Sequence, residues 1–154
     1  MTENQYIEIF KKKAIDFERN ILNKYGFVNS HKLFESKIEV TIKDLFRFIY
    51  FNSVGSYIYF SMYESIETNS IYISFTYFRE FPNQPNKNRL FFSLDDYQKD
   101  NPEIDLQSEF KQNCSFEIFI EKYFSILSEL CNYQLRPMLE GKDFKNHDPF
   151  CGQK

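Results

Sequence analysis

Two histidines, three cysteines and one pair of adjacent acids are the residues of this 154-residue chain best equipped for chemistry. His147 stands beside Asp148, an acid–base dipeptide, but within the polar run "GKDFKNHDPFCGQK", where a solvated pair is the simpler reading. His31 follows the first helical segment, and neither histidine has a second at metal-ligand spacing. Cys114, Cys131 and Cys151 show no CxxC spacing, so they define neither a disulfide framework nor a zinc knuckle. "SEFK", from Ser108 to Lys111, matches the SxxK pattern of some serine acyl enzymes without any companion motif.

Asp95 and Asp96 are the remaining acid pair. Neighbouring residues on a helix point about 100° apart, so the two carboxylates do not chelate together, and their placement suits the first turn of a short helix. No GxGxxG or GxxxxGK[ST] loop exists, and four glycines leave little material for one. The expectation is a chain without catalytic residues, metal ligands or a cofactor.

Aromatic residues make up 19% of the chain, as 19 Phe and 11 Tyr without Trp. A composition rich in Ile, Lys and Asn is what AT-rich codons favour, and this is the main expected cause of the Phe content, so the count itself says little about function. Placement is more informative than number. In "YIYFSMY" (57–63), Ile58, Phe60 and Met62 alternate with Tyr57, Tyr59, Ser61 and Tyr63; in "IYISFTYF" (71–78), Ile71, Ile73 and Phe75 alternate with Tyr72, Ser74 and Thr76. On a pleat each strand has an aliphatic face for a core and a Tyr/Ser/Thr face. Such a face suits cross-strand tyrosine pairs in solvent, and it equally suits recognition, because Tyr gives amphipathic contact area with few rotamers to freeze.

The net charge is −3 and the pI about 5.5. That balance argues against a nucleic-acid binder, which carries a basic stripe. The one basic cluster, Lys11–Lys13, points several ways around a helix, and the ringed strands lack the Gly and basic positions of an RNA-binding sheet. The start "MTENQYIEIFKKK" has no apolar signal region, and no apolar run approaches the ~18 residues of a membrane span. A cytoplasmic protein with no membrane association is expected.

The elements that position these residues are legible in outline. Ile7, Phe10, Ala14, Phe17 and Ile21 recur at helical spacing, begun by a capping box of Thr2 and Gln5 and ended by Gly26. "SKIEVTIK" alternates as a strand, with Ile38, Val40 and Ile42 on its dry face, and "LFRFIYF" (45–51) reads as an interior strand. With 57–63 and 71–78 these give a four-stranded antiparallel meander. Ser93 begins a short helical turn, and Ser115 begins a long helix whose Phe116, Phe119, Ile120, Tyr123, Phe124, Leu127, Leu130 and Cys131 share one face, with Pro137 expected to stop or kink it. The prediction is one α+β domain over residues 1–144, a meander packed against two long helices, with a polar tail over 145–154.

A long first helix ending in "KYGF" (24–27), a meander, and a helix closed by "LRPMLEGKDF" (135–144) together resemble small, acidic, cytosolic bacterial proteins. These include immunity proteins of polymorphic toxin systems. The resemblance implies a protein that works by binding, and it assigns no individual residues. The reading is a non-catalytic protein-binding module, with a bacterial toxin as partner, steric occlusion as its mode, and Tyr57, Tyr59, Tyr63 and Tyr72 as the recognition surface. Glu64, Glu67, Asp95 and Asp96 are the acids available to meet a basic partner. The alternative is a small-ligand binder or cryptic enzyme, with a Tyr/Phe-lined pocket between sheet and helices polarised by Asp95, Asp96, Arg47 and Arg79. A scaffold that forms a homo-oligomer through an edge strand is a third.

Overall fold

Thr2 opens the chain as the capping box predicts. Its hydroxyl accepts from the Gln5 amide at 3.3 Å, and the Gln5 side chain accepts from the Thr2 amide at 2.7 Å. Helix α1 runs Glu3–Asn20 and buries Phe10, Ala14 and Phe17, and a 3₁₀ turn at Leu22–Tyr25 follows. Gly26 ends that turn at φ +79°, a left-handed conformation that costs glycine little. The computed structural model describes residues 1–30, 38–39, 41–53, 55–79, 90–111 and 114–142. His31, His147, Asp148 and Cys151, the end of "LEGKDF" and the proposed tail lie outside the described residues.

Among the described residues the sheet has seven strands: β1 (Val28–Asn29), β2 (Ile38–Glu39), β3 (Ile42–Phe51), β4 (Ser56–Ser65), β5 (Ser70–Arg79), β6 (Leu90–Ser93) and β7 (Glu109–Phe110). Their order is β1-β3-β4-β5-β6, with β2 on β3 and β7 on β5, and all pairs are antiparallel. The four-stranded meander expected from the sequence is therefore too small, and its first strand is drawn differently. Ile38–Glu39 folds back on Ile42–Lys43 as a tight hairpin, and from Ile42 the chain continues without a break to Phe51.

A register shift between Asp44 and Phe46 explains why alternation misleads there. Leu45 is the extra residue of a β-bulge, so Leu45 and the neighbouring Phe46 both lean toward the core. Before the bulge the parity is reversed, so Ile42 and Asp44 lie on the opposite face while Lys43 lies on the helix side. Ile42, expected on a dry face, is exposed, as is Ile38.

Helix α2 (Leu94–Asp100) starts after Ser93, and helix α3 (Phe116–Asn132) buries the full predicted stripe from Phe116 to Cys131. Pro137 does not stop α3, which ends five residues earlier at Asn132; it lies in the first turn of a short helix α4 (Arg136–Leu139). Proline fits that position because the amide it lacks would have no helical partner there.

Helices α1 and α3 lie on one face of the sheet. Phe60 of β4 is the meeting point: its ring stacks on Phe124 at 5.3 Å and meets Phe10 at 5.3 Å and Phe75 at 5.5 Å edge-on. The predicted aliphatic sets, Ile58, Phe60 and Met62 with Ile71, Ile73 and Phe75, all lie in this core. Burial of each is worth about 1.5–3 kcal/mol, and a one-residue slip would expose the whole set.

Tyr77, on the same face, carries its hydroxyl to a polar junction. It shares a hydrogen bond with Ser56 Oγ at 2.9 Å and donates to the Met138 carbonyl at 3.1 Å. Buried Arg79 continues that junction by donating to the carbonyls of Gly141 and Lys142, which ties the end of α4 to β5.

Candidate functional site

Antiparallel pairing brings the side chains of the other sheet face into rows that run across the strands. The first row is apolar and aromatic. Val28 faces Phe51, Phe51 faces Tyr57, Tyr57 faces Phe78, and Phe78 faces Phe91, so five strands each contribute one residue. Tyr57 and Phe78 stack with centroids 5.0 Å apart and planes 15° from parallel. The outer end of this row is the most open, with Val28 50% and Phe51 41% exposed.

The second row, Ile49–Tyr59–Thr76–Ser93, is mixed. Tyr59 meets Phe78 edge-on at 5.2 Å and lies under the Arg47 guanidinium, 5.9 Å from the ring centre. In the third row Arg47 faces Ser61, which faces Ser74, and Arg47 Nε donates to Ser61 Oγ at 3.2 Å. The fourth row, Asp44–Tyr63–Tyr72–Glu109, is acidic at both ends. Its two tyrosines stack at 5.2 Å with planes 5° apart.

Burial pushes the Tyr63 hydroxyl above its ordinary range, and Asp95 adds to that shift. Burial, followed by the Glu109 carboxylate, raises Tyr72. Both hydroxyls therefore remain protonated donors at neutral pH. The face thus grades from an apolar aromatic end to an acid-flanked tyrosine end, with Arg47 between them.

All four predicted tyrosines lie on this face, each half-buried. Of the predicted acids, Asp95 comes near enough to Tyr63 to add to its shift, and the others do not gather there. Glu64 pairs with Lys43 and Ile71, which places it on the helix side of the sheet, and Glu67 is exposed in the β4–β5 turn. Asp96 is 3.9 Å from Lys99 on α2, and Asp95 accepts a 2.7 Å hydrogen bond from Ser108. The acids of the face itself, Asp44 and Glu109, escape the sequence reading, as do Phe51, Phe78 and Phe91. Parity alone could have found Phe78, two residues beyond Thr76, whereas Phe91 and Glu109 join the rows only through strands too short to announce themselves.

A pocket between sheet and helices is not what Arg47, Arg79, Asp95 and Asp96 form. Rings fill that space; Arg79 is committed to two backbone carbonyls, and Arg47 lies on the opposite face. Among the described residues, no cluster of three His, Cys, Asp or Glu side chains is placed to hold a metal ion, and no helix is long and apolar enough to cross a membrane.

A separate cleft of about 590 Å³ opens where the 3₁₀ turn, the β3–β4 turn and the end of α3 meet α4. Lys24, Tyr25, Asn52, Asn132, Arg136 and Glu140 are among its lining residues. Comparisons with protein-family models, curated proteins and solved structures find no match to this chain.

Proposed function

We propose that this protein is a binding module whose polar-aromatic sheet face recognises a protein partner. One observation carries the reading: the unbroken cross-strand row Val28–Phe51–Tyr57–Phe78–Phe91, exposed at its outer end and set beside Tyr59 and Arg47. Aromatic residues and arginine are the types enriched at the centres of protein interfaces, and Tyr and Arg are frequent hot spots. The face offers rigid rings already stacked in place, so little side-chain entropy remains to be lost on docking.

A bacterial toxin is the partner that fits the acidic character of the chain. The Asp44 and Glu109 carboxylates flank the Tyr63–Tyr72 stack and suit a basic surface, such as the substrate groove of a nuclease. Neutralisation then needs only occlusion of that groove, and none of the residues on this face has to perform a chemical step.

The test is affinity capture from lysate of the native host, with a Tyr57→Ser/Tyr59→Ser variant run in parallel after its fold is verified by circular dichroism. The expected result is one stoichiometric partner, retained by the wild-type chain and lost by the variant. A partner captured equally by both would remove the sheet face from the account. A captured partner whose activity is unaffected by this protein would remove the toxin.

A further inference from the structure

The cleft beside α4 is built from segments far apart in the chain, and its charge runs against that of the whole molecule. The chain is acidic, with a net charge of −3, yet among the described residues the cleft is lined by Lys24 and Arg136 against one carboxylate, Glu140. Glu140 is shared between Arg136 at 3.5 Å and Lys142 at 3.7 Å. Lys24, which lines the same cleft, has no ion pair among the described residues. Among the described residues, one carboxylate divided between two cations, with Lys24 on the same lining, leaves a surplus of positive charge.

The neutral lining adds hydrogen-bond donors. Asn52 is fixed because its Oδ1 accepts from the Ser56 amide at 3.1 Å while its Nδ2 donates to the Tyr25 carbonyl at 3.5 Å. Burial pushes the Tyr25 hydroxyl up, against a smaller opposing pull from Arg136, so at neutral pH the phenol is a donor. Asn132 and Ser53 complete the polar lining, and Leu139 supplies an apolar patch.

The wall formed by the end of α4 is held in place. Arg79 grips the Gly141 and Lys142 carbonyls from below, and Gly141 turns the chain at φ +84°. The volume lies within the ~300–1,000 Å³ of small-molecule sites.

We infer that this cleft is a binding site for a small organic oxyanion, a carboxylate or phosphate held by Arg136 and Lys24, with amide and phenol donors from Asn132 and Tyr25. Arginine presents a planar fork that matches either group, and lysine adds a compact charge. The site is far from the tyrosine rows in composition and in the residues it uses, so it stands or falls independently of the partner-binding face.

The experiment is an NMR titration of the full chain at low, constant ionic strength, following the side-chain amides of Asn52 and Asn132. Pyrophosphate is the probe in one arm and citrate in the other. The expected result is a saturable shift with at least one of them, weakened about tenfold in Arg136→Gln and severalfold in Lys24→Gln. Both side chains are solvent-accessible, so these variants fold. Lys99→Gln, which removes an exposed charge on α2, and Tyr59→Ser should titrate like the wild type. Saturation by pyrophosphate alone assigns phosphate chemistry, and saturation by citrate alone assigns carboxylate chemistry. The inference is overturned if neither anion saturates by about 10 mM, or if Lys99→Gln weakens binding as much as Arg136→Gln does.

Discussion

Phe60 and Tyr59 are neighbours on β4, and they belong to two different surfaces. Phe60 points into a cluster of Phe10, Phe17, Phe75 and Phe124 and is completely buried, whereas Tyr59 points away, half-exposed, between Phe78 and Arg47. Both faces of the sheet are aromatic, but one uses its rings to exclude water and the other carries hydroxyls and a guanidinium that keep it wet. The difference separates two placements of the rings, one in the core and one on a surface. Folding requires the first face. The second contributes less to folding, and it is the face for which we propose recognition.

Phe60→Ala gives the largest expected effect and would break the comparison if it did not. Removing a fully buried ring at the junction of α1, α3 and the sheet should cost about 3–5 kcal/mol, read as a lowered urea midpoint. Next is Tyr77→Phe, which deletes the hydroxyl between Ser56 and the Met138 carbonyl. It should cost about 1–2 kcal/mol, because the buried Ser56 hydroxyl loses its partner, while the Met138 carbonyl keeps its bond from the Gly141 amide.

The third prediction concerns pH. Burial raises the hydroxyls of Tyr50 and Tyr123 on the core face, the Glu18 carboxylate adding to the first and Asp95 to the second. A phenol whose folded-state pKa lies above its unfolded value stabilises the fold below that unfolded value, near pH 10. The contribution is then lost as pH rises. Stability should therefore fall above about pH 10, by about 1.4 kcal/mol per pH unit for each group. Urea unfolding between pH 8 and 11 measures it, and a Tyr50→Phe/Tyr123→Phe variant should show a flatter decline.

The smallest stability effect is expected on the open face. Tyr59→Ser removes a cross-strand contact worth about 0.2–1 kcal/mol, and its melting temperature should stay close to that of the wild type. A loss as large as that of Phe60→Ala would mean that the two faces do not differ in the way described.

The buried stripes of the two long helices were legible in the sequence, whereas the end of α1 at Asn20 and the short helix α4 were not. A stripe such as Phe116, Phe119, Ile120, Tyr123 repeats over several turns, and the period survives any single exception. The strands were legible only where alternation ran unbroken, as in β4 and β5. At Leu45 a bulge resets the alternation, and before it the β2–β3 hairpin turns inside what reads as one continuous strand. β1 and β7 have two residues each, too few to carry any period, yet they bring Val28 and Glu109 to the open face. The tyrosines of the site followed from parity alone. The cleft did not, because Lys24, Asn52 and Arg136 meet only through tertiary packing and no local pattern links them.

The most direct test of the recognition face is site-specific photocrosslinking with the captured partner. A benzophenone side chain is introduced as Tyr59→p-benzoylphenylalanine on the open face, and separately as Ile118→p-benzoylphenylalanine on the outer side of α3, where Ile118 is 66% exposed. The account predicts a crosslinked complex from position 59 and none from position 118. A crosslink from 118 with none from 59 would place the partner on the helices and contradict the assignment of the sheet face.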